Sequence, residues 1–472
     1  MGQRTTRVTP DGYLPRGEAL ASAERPPVAV WQGIAGEACQ VHVYAPGRNR
    51  TLARWERAVG PPHPHRIEPR CERYSVCGGC PWMHLDAAGQ AEARLGLIRR
   101  AWVEAGLEAD APAALQPCPD GLEGYRHLVK LAVGRSDQGH IRLGAFGRSS
   151  RNVVPIPGCL AATPALRRAT AGVAHHVIRL DIWPFDAARR RGVLRYVVLR
   201  QSRATGQILI TLVAARRTPM LGDLARALVE QVEGVVGVHL HLNDSDGNAF
   251  YALDEQGSVP TVRLEGVGEI EDRLDGIRLP IGPGDFFQTN PATAEALLHD
   301  LAARLPAERA VLDLYCGVGG LTLAAARCAG WALGVEGLGS AVTHARSAAS
   351  LNRLPAEFLS GRVEELLPEL RLRLAGRRPV IIVNPARRGL EPGVGEGIVG
   401  LEPELLLYVS CNPGSQARDL AEFSRRGFRL REARAYDMFP HTPHVEVFAV
   451  LDGPQGPPAE DALRPPRRKV LR

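Results

Sequence analysis

The chain has 472 residues, of which 45% are hydrophobic and 23% are charged. This length exceeds what one compact core supports, so we expect about two to four domains. The N-terminus lacks the apolar core of a signal peptide, and no apolar run approaches the roughly 20 residues that span a bilayer. These features predict a cytoplasmic protein without membrane segments.

Charge and cysteine content narrow the class of protein further. Basic residues outnumber acidic ones by 58 to 51, a net charge of +7 that suits a polyanionic partner without requiring one. Nine cysteines, an odd number, occur in a long chain without a secretion signal. That pattern argues against a disulfide framework and favours metal-binding or catalytic cysteines.

Two regions precede the C-terminal third. Residues 1–66 contain short apolar runs broken by Gly and Pro (VAVWQ, EACQVHVYA, TLARWERAV), which predict strands of a small barrel. Residues 67–275 open with a group of cysteines and continue with strand-like runs such as LVKLAVG, VLRYVVLRQ and QILITLVAA. We expect a mixed α+β domain there.

From residue 276 to 452 apolar strands alternate with helical segments, the pattern of a doubly wound parallel sheet. We place strands at AVLDLYC, WALGVE, PVIIVNP, LLLYVSC and VEVFAVL, and a helix at SAVTHARSAASLNRL. Residues 453–472 are rich in Pro and Arg and predict a disordered basic tail.

A glycine-rich turn, DLYCGVGG, follows the first of these strands. Gly317 and Gly319 would let a ligand approach the backbone of a strand-to-helix turn. Glu336 ends the next strand, at a spacing where its carboxylate can accept hydrogen bonds from both ribose hydroxyls. Together they favour an adenosyl ligand, although a structural glycine turn is the alternative.

Two further residues stand where chemistry is expected. Cys411 ends the strand LLLYVS, at the edge of an open α/β sheet where ligands bind. Glu446 lies inside the apolar run HVEVFAVL, where an isolated carboxylate is costly to bury and its pKa should be raised. Taken singly, Cys411 is more often a packing residue and Glu446 an edge-strand residue facing water.

Cys411 and Glu446 together fit a known chemical problem, the methylation of carbon 5 of uracil, so catalytic roles become the better interpretation of both. Carbon 5 of uracil is a poor nucleophile. A thiolate that adds to carbon 6 converts the base into an enolate, which can attack an activated methyl group. A base must then remove the hydrogen from carbon 5 so that the cysteine can leave. Cys411 and Glu446 are candidates for these two roles.

Five motifs occur in order: FFQTN (286–290), DLYCGVGG (313–320), NPARRG (384–389), YVSCNP (408–413) and DMFPHTPHVE (437–446). With them the chain resembles, over nearly its whole length, the uracil-5 RNA methyltransferases of bacterial ribosomal RNA and of the transfer RNA T-loop. The resemblance implies a Rossmann-like methyltransferase domain at 276–452, S-adenosylmethionine as methyl donor, and a target uridine flipped out of its helix.

The resemblance also assigns roles to residues. It implies that Cys411 is the nucleophile and Glu446 the general base, and that the pocket for the methyl donor and uracil is lined by Gln288, Tyr315, Glu336 and Asn384. Two positions depart from the family pattern: many members have Asp at position 384, and an Asp or Asn is expected near the adenine where Arg362 stands. Some ribosomal members also have Asn at the first position, so we still expect activity.

Four cysteines form a C-x5-C-x2-C pattern with a distant fourth member: Cys71, Cys77, Cys80 and Cys159. By count, four thiolates suit zinc or an iron-sulfur cluster equally. The resemblance favours a [4Fe-4S] cluster, as in ribosomal members of the family, with a structural or RNA-positioning role and zinc as the alternative. We interpret the unpatterned cysteines as packing residues (Cys39, Cys118, Cys316, Cys328) and the nearby histidines as surface residues (His63, His65, His84).

Segments outside the methyltransferase domain are candidates for holding RNA. Residues 1–66 resemble a degenerate TRAM domain, an OB-like RNA-binding barrel, in which phosphate could be contacted by Arg48, Arg50, Arg54 and Arg57. A solvated face is the alternative for these arginines. Tyr125 and Arg126 match a motif of the central domain and are better candidates for placing RNA. Residues 85–124 are expected to pack with the catalytic domain.

Two rival functions stay open. An amino-group methyltransferase is suggested by Asn384-Pro385, which resembles an NPP(Y/F) motif but lacks its aromatic residue and leaves Cys411 and Glu446 without a role. An RNA-binding assembly factor with a vestigial site is suggested by Asn384 and Arg362. Among substrates, the cysteine set and Asn384 favour 23S ribosomal RNA over the transfer RNA T-loop, and we expect a monomer.

Overall fold

The computed structural model describes residues 4–247, 249–254 and 258–454. Its strands are β1 (Arg4–Val8), β2 (Gly12–Tyr13), β3 (Ala19–Ala21), β4 (Val28–Trp31), β5 (Cys39–Ala45), β6 (Thr51–Ala58), β7 (Leu115–Gln116), β8 (Leu128–Arg135), β9 (Ile141–Phe146), β10 (Val153–Pro155), β11 (Leu194–Gln201), β12 (Ile208–Ala214), β13 (Val235–Leu242), β14 (Val262–Gly266), β15 (Ile270–Leu274), β16 (Ile277–Ile281), β17 (Val311–Leu314), β18 (Ala332–Glu336), β19 (Ala356–Ser360), β20 (Val380–Val383), β21 (Leu405–Ser410), β22 (Arg429–Tyr436) and β23 (Glu446–Asp452). Its helices are α1 (Ala87–Glu104), α2 (Pro164–Arg179), α3 (Pro219–Gln231), α4 (Pro291–Ala302), α5 (Gly320–Ala329), α6 (Gly339–Asn352), α7 (Val363–Arg373), α8 (Val394–Val399) and α9 (Pro413–Arg425).

The N-terminal strands form one six-stranded sheet in the order β1-β5-β6-β4-β3-β2. The three runs predicted as strands become β4, β5 and β6. The predicted barrel is wrong for the described residues, because no pairing joins β1 to β2 and the sheet stays open. Closure depends on the pairing of distant edges, which the apolar pattern of single strands does not encode.

A seven-stranded sheet, called here the central sheet, has the order β10-β9-β8-β11-β12-β13-β14. Its middle strands, β11 and β12, are almost entirely buried. Strand β12 is a nearly continuous run of branched apolar residues, whereas β11 also buries Arg195 and Arg200. Helices α2 and α3 cover one face with a single apolar core. The other face carries a smaller apolar cluster, which includes Tyr196, Phe250 and Tyr251.

The C-terminal sheet has eight strands in the order β19-β18-β17-β20-β21-β23-β22-β7. Strands β17 to β21 run parallel, and β23 inserts antiparallel between β21 and β22. All five predicted strands are confirmed, as β17, β18, β20, β21 and β23, and the predicted helix is α6. The strand order reverses between β17 and β20, and at such a point the loops after the strands form a crevice for ligands.

Helix α1 packs against α9 of the C-terminal sheet, and β7 extends that sheet beside β22. The side chain of Arg94 in α1 is fully buried and donates hydrogen bonds to the carbonyl oxygens of Phe439, Thr442 and His444. It also lies 3.3 Å from the carboxylate of Asp437. A segment far away in sequence therefore holds the loop 437–444 in place.

No described helix combines the length and the apolar character needed to cross a bilayer. The predicted basic tail falls mostly on residues 455–472, which lie outside the described part of the chain.

Candidate active site

Cys411 and Glu446 come together across an antiparallel strand pair. Ser410 at the end of β21 pairs with Val447 of β23, so the same register continued by one residue sets Cys411 opposite Glu446. The Cys411 side chain is partly exposed, whereas Glu446 is only 4% exposed. A partly exposed thiol group thus lies beside a buried carboxyl group.

Burial dominates the electrostatics of both groups. It raises the pKa of Glu446 from its ordinary value of 4.5 to about 8, and the guanidinium of Arg387 opposes this rise. Burial, followed by the neighbouring Glu446, also raises the pKa of the Cys411 thiol, while charge and hydrogen bonding from Arg387 lower it. Arg387 therefore acts electrostatically on both groups.

The turn after β17 contains the predicted glycines. Gly317 and Gly319 have φ values of 56° and 87°, in the left-handed region that favours glycine. A Cβ on Gly319 would also come within 3.0 Å of the Phe358 ring. The backbone N–H groups of Gly317 and Leu338 donate to the two carboxylate oxygens of Glu336, at 3.0 and 2.8 Å. These bonds orient the Glu336 carboxylate at the end of β18.

Asn384 and Tyr315 follow the two strands that flank the reversal of strand order. The backbone N–H of Asn384 donates to Leu314 at 3.4 Å, which sets the two loops side by side. Asp419 of α9 holds the rest of the Asn384 loop by accepting from the N–H of Leu390, and it also accepts from the Tyr408 hydroxyl. Burial raises the pKa of Tyr315 to about 12.

The loop that carries Gln288 is anchored at both ends. Asn290 is fully buried at the start of α4, where its side chain donates to the carbonyl of Met438 and to the sulfur of Cys118. Asp285 contacts His344 of α6 through its carboxylate, while its carbonyl accepts a 2.6 Å hydrogen bond from Arg200 of the central sheet. No hydrogen bond of the half-buried Gln288 side chain occurs among the described residues.

Arg362 lies immediately before α7, and its exposed side chain pairs with Glu364.

The four patterned cysteines lie within electrostatic range of one another. After burial, Cys159, Cys77 and Cys71 each raise the pKa of Cys80, and Cys159 and Cys71 raise that of Cys77. The N–H of Gly79 lies 3.4 Å from the sulfur of Cys77, as is suited to a thiolate. In the part of the chain that the structure describes, however, no group of three or more His, Cys, Asp or Glu side chains has the arrangement of a metal site.

Three interpretations of single residues need correction. Tyr125 is 0% exposed and donates to the carbonyl of Pro440, so it packs under the 437–444 loop and has no face for a base. His84 is buried, not on the surface, and hydrogen bonds to Tyr74 at 2.6 Å. Cys328 is exposed and is not a packing residue.

The four N-terminal arginines are exposed: Arg48, Arg50, Arg54 and Arg57.

Sequence reasoning missed Arg387 and Arg94. Arg387 lies inside the NPARRG motif, so that motif could have indicated a position close to Cys411. No sequence pattern indicated the role of Arg94, because its partners lie about 350 residues away in the chain.

An open α/β sheet with a glycine turn, an acidic residue on the next strand and a cysteine at a strand end defines an S-adenosylmethionine-dependent methyltransferase. The profile of the family described as tRNA (uracil-5-)-methyltransferase matches residues 280–453. An uncharacterized RNA methyltransferase from Gloeobacter violaceus is 35% identical over 82% of this chain and 83% of its own, and one from Listeria monocytogenes is 30% identical over 92% and 94%.

A solved structure agrees with these matches. The tRNA (uracil-54, C5)-methyltransferase of Pyrococcus abyssi, in complex with S-adenosyl-L-homocysteine, superposes with a TM-score of 0.74 at 26% identity, covering 94% of this chain and 99% of that one. The chain belongs to the uracil-5 RNA methyltransferase family, and it is an enzyme that transfers methyl groups from S-adenosylmethionine to RNA.

Proposed function

We propose that the protein methylates carbon 5 of a uridine in 23S ribosomal RNA through a covalent adduct with Cys411. The observation that supports this most directly is the register that sets the partly exposed Cys411 thiol opposite the buried carboxyl of Glu446. An amino-group methyltransferase would use neither residue.

The proposed reaction has three steps: addition of the thiolate, methyl transfer and elimination. The Cys411 thiolate adds to carbon 6 of uracil, and the electron pair of the double bond moves toward the carbonyl oxygen as an enolate. Carbon 5 then takes the methyl group, which releases S-adenosylhomocysteine. Glu446 removes the proton from carbon 5, the bond from sulfur to carbon 6 breaks, and the thiolate is restored. A base with a pKa near the working pH is suited to accepting and releasing this proton.

Residues around the crevice are assigned by position. We assign Glu336 to the ribose hydroxyls, because its carboxylate is held by two backbone donors and retains free lone pairs. Gly317 and Gly319 leave room for the donor, and Tyr315, Asn384 and Gln288 stand on the loops that face it. Arg387 is proposed to stabilise the thiolate of Cys411.

A nucleoside analysis tests the proposed function. The protein is incubated with labelled S-adenosylmethionine and an unmodified 23S RNA transcript or a transfer RNA transcript, and the modified nucleoside is identified. We expect 5-methyluridine in the 23S transcript, complete loss with Cys411→Ala, and full activity with Cys328→Ala as the matched control. Methylated adenine, or turnover that survives Cys411→Ala, would refute the mechanism. Label in the transfer RNA alone would refute the proposed target.

For the central domain, proposed at residues 67–275, we propose that Cys71, Cys77, Cys80 and Cys159 hold a [4Fe-4S] cluster. Support comes from the mutual electrostatic effects of the four thiols and from the N–H directed at Cys77. The cluster would have a structural role, because methyl transfer to carbon 5 requires no electron. Anaerobic purification followed by iron, sulfide and zinc analysis tests it, and zinc without sulfide would contradict it.

A further inference from the structure

The face of the central sheet opposite α2 and α3 carries an unusual set of cations. Along β8, Val129, Leu131 and Val133 are buried beneath the helices, so Lys130 between them points to the other face, where it is exposed. Arg200 of β11 pairs with Leu128, two residues before Lys130. Lys130 and Arg200 are therefore diagonal neighbours on the same face.

Lys130 has no acidic partner in the described part of the chain. No hydrogen bond or ion pair of Lys130 to a carboxylate occurs among residues 4–247, 249–254 and 258–454. Its ammonium group lies over the Phe250 ring, 4.8 Å from the centroid. After desolvation, the charges of Arg200 and Arg126 lower its pKa. Asp285 and Asp272 partly balance Arg200, whereas only cations act on Lys130, so an incoming anion would relieve the repulsion at Lys130.

The same face begins at the candidate active site. Immediately before β8, the N–H of His127 donates to the carbonyl of Thr289, next to Gln288, at 2.8 Å. Arg126 lies close enough to lower the pKa of His444, on which Arg387 also acts. Arg126 therefore lies close both to His444, on which Arg387 acts, and to Lys130.

We propose that Lys130, supported by Arg126 and Arg200, binds a phosphate group of the RNA substrate, so that the RNA backbone passes the exposed Lys130 on its way to Cys411. This inference rests on the proposed function and adds a direction of approach to it. Lys130 contacts the backbone and carries no information about base sequence.

The test compares three variants with the wild-type protein on the 23S RNA transcript: Lys130→Gln, Lys130→Arg, and Arg226→Gln as control. Arg226 is an equally exposed cation on α3, behind the opposite face. For Lys130→Gln we expect about 5-fold weaker RNA binding and a higher KM with unchanged kcat. The slope of the logarithm of the binding constant against the logarithm of the salt concentration should decrease in magnitude by about one, because one phosphate contact is lost. Lys130→Arg should restore binding, and Arg226→Gln should leave it unchanged.

An unchanged salt slope and KM in Lys130→Gln, with wild-type methylation intact, would overturn this inference alone. An equal loss in Arg226→Gln would also overturn it, because the effect would then follow net charge and not position. Absence of methylation by the wild-type protein would instead contradict the proposed function.

Discussion

Single ionisable groups set the chemistry that this site can perform. The pKa of Glu446 is about 8 in the folded protein, compared with 4.5 ordinarily. The folded state therefore binds this proton more tightly than the unfolded state, and the contribution to stability is lost as the pH rises from about 4.5 to 8. The carboxyl proposed as the base therefore destabilises the fold at the pH where it would act.

Substitution of Glu446 by Gln should separate addition from elimination. The thiolate can still add and the methyl group can still be transferred, but no base removes the proton from carbon 5. We expect a covalent complex of protein and methylated RNA on denaturing gels, with turnover reduced by about 10²-fold or more. Glu422→Gln, an exposed change on α9, is the control. Normal turnover without an adduct would contradict the assigned role.

Arg387 should control the pH dependence of the rate. Burial raises the pKa of Cys411 and of Glu446, and Arg387 opposes both rises. In the wild-type protein, activity should increase with pH through about 8 as Glu446 loses its proton, and should continue to increase above it, because the pKa of Cys411 lies above its ordinary value of 9.0. Arg387→Gln should move that rise to higher pH, whereas Arg387→Lys should largely retain it and the exposed neighbour Arg388→Gln should not change it. The measurement is a profile of kcat/KM against pH, and superimposable profiles for wild type and Arg387→Gln would exclude the effect.

At the level of elements, the loop 437–444 depends on a helix from the other end of the chain. Arg94 of α1 bonds three of its carbonyls and pairs with Asp437, all in a buried environment. Arg94→Met should lower the free energy of unfolding by about 3–5 kcal/mol, because Asp437 and these carbonyls lose their partner. Urea titration measures it. Arg99→Met on the exposed side of α1 should change the free energy of unfolding by about 0.5 kcal/mol or less. Equal losses in Arg94→Met and Arg99→Met would show that Arg94 does not hold the loop 437–444.

Element by element, the sequence predicts regular parts well and pairings poorly. Strands β17, β20 and β21 are uninterrupted apolar runs, so their type and order were readable. The sequence did not show that β1 and β2 stay unpaired, because closure of a barrel depends on the pairing of two distant strands. Tyr125 was mistaken for an RNA contact because a motif shows that a residue matters without showing which way its side chain points.

Across the whole molecule, hydrogen bonds join the central sheet to strand β15 and to the loop between β16 and α4 that carries Gln288. Arg200 bonds Asp285, His127 bonds Thr289 and Ser202 bonds Glu271. We expect S-adenosylhomocysteine at 100 times its Kd to stabilise the fold by about 2.7 kcal/mol and to shift one thermal transition that includes the central and C-terminal sheets. Guanosine at the same concentration is the control. Two transitions, of which only one shifts, would show that the sheets unfold separately.

The candidate site as a whole was predictable to the extent that its parts belong to motifs. Cys411, Glu446 and Glu336 each end or begin a strand, and the strand order brings those ends together. The partners that hold them, such as Asp419 for the Asn384 loop, lie on helices whose surface pattern resembles that of any amphipathic helix. Such contacts follow only from three-dimensional packing.

The position of β23 has a consequence for the order of synthesis. This strand carries Glu446 and is inserted between β21 and β22, although it is the last strand of the described chain. A nascent chain that has already exposed Cys411 therefore lacks the proposed base until β23 emerges from the ribosome and docks. The same strand completes the sheet beside β21, so under the proposed mechanism turnover begins only after translation has passed residue 452.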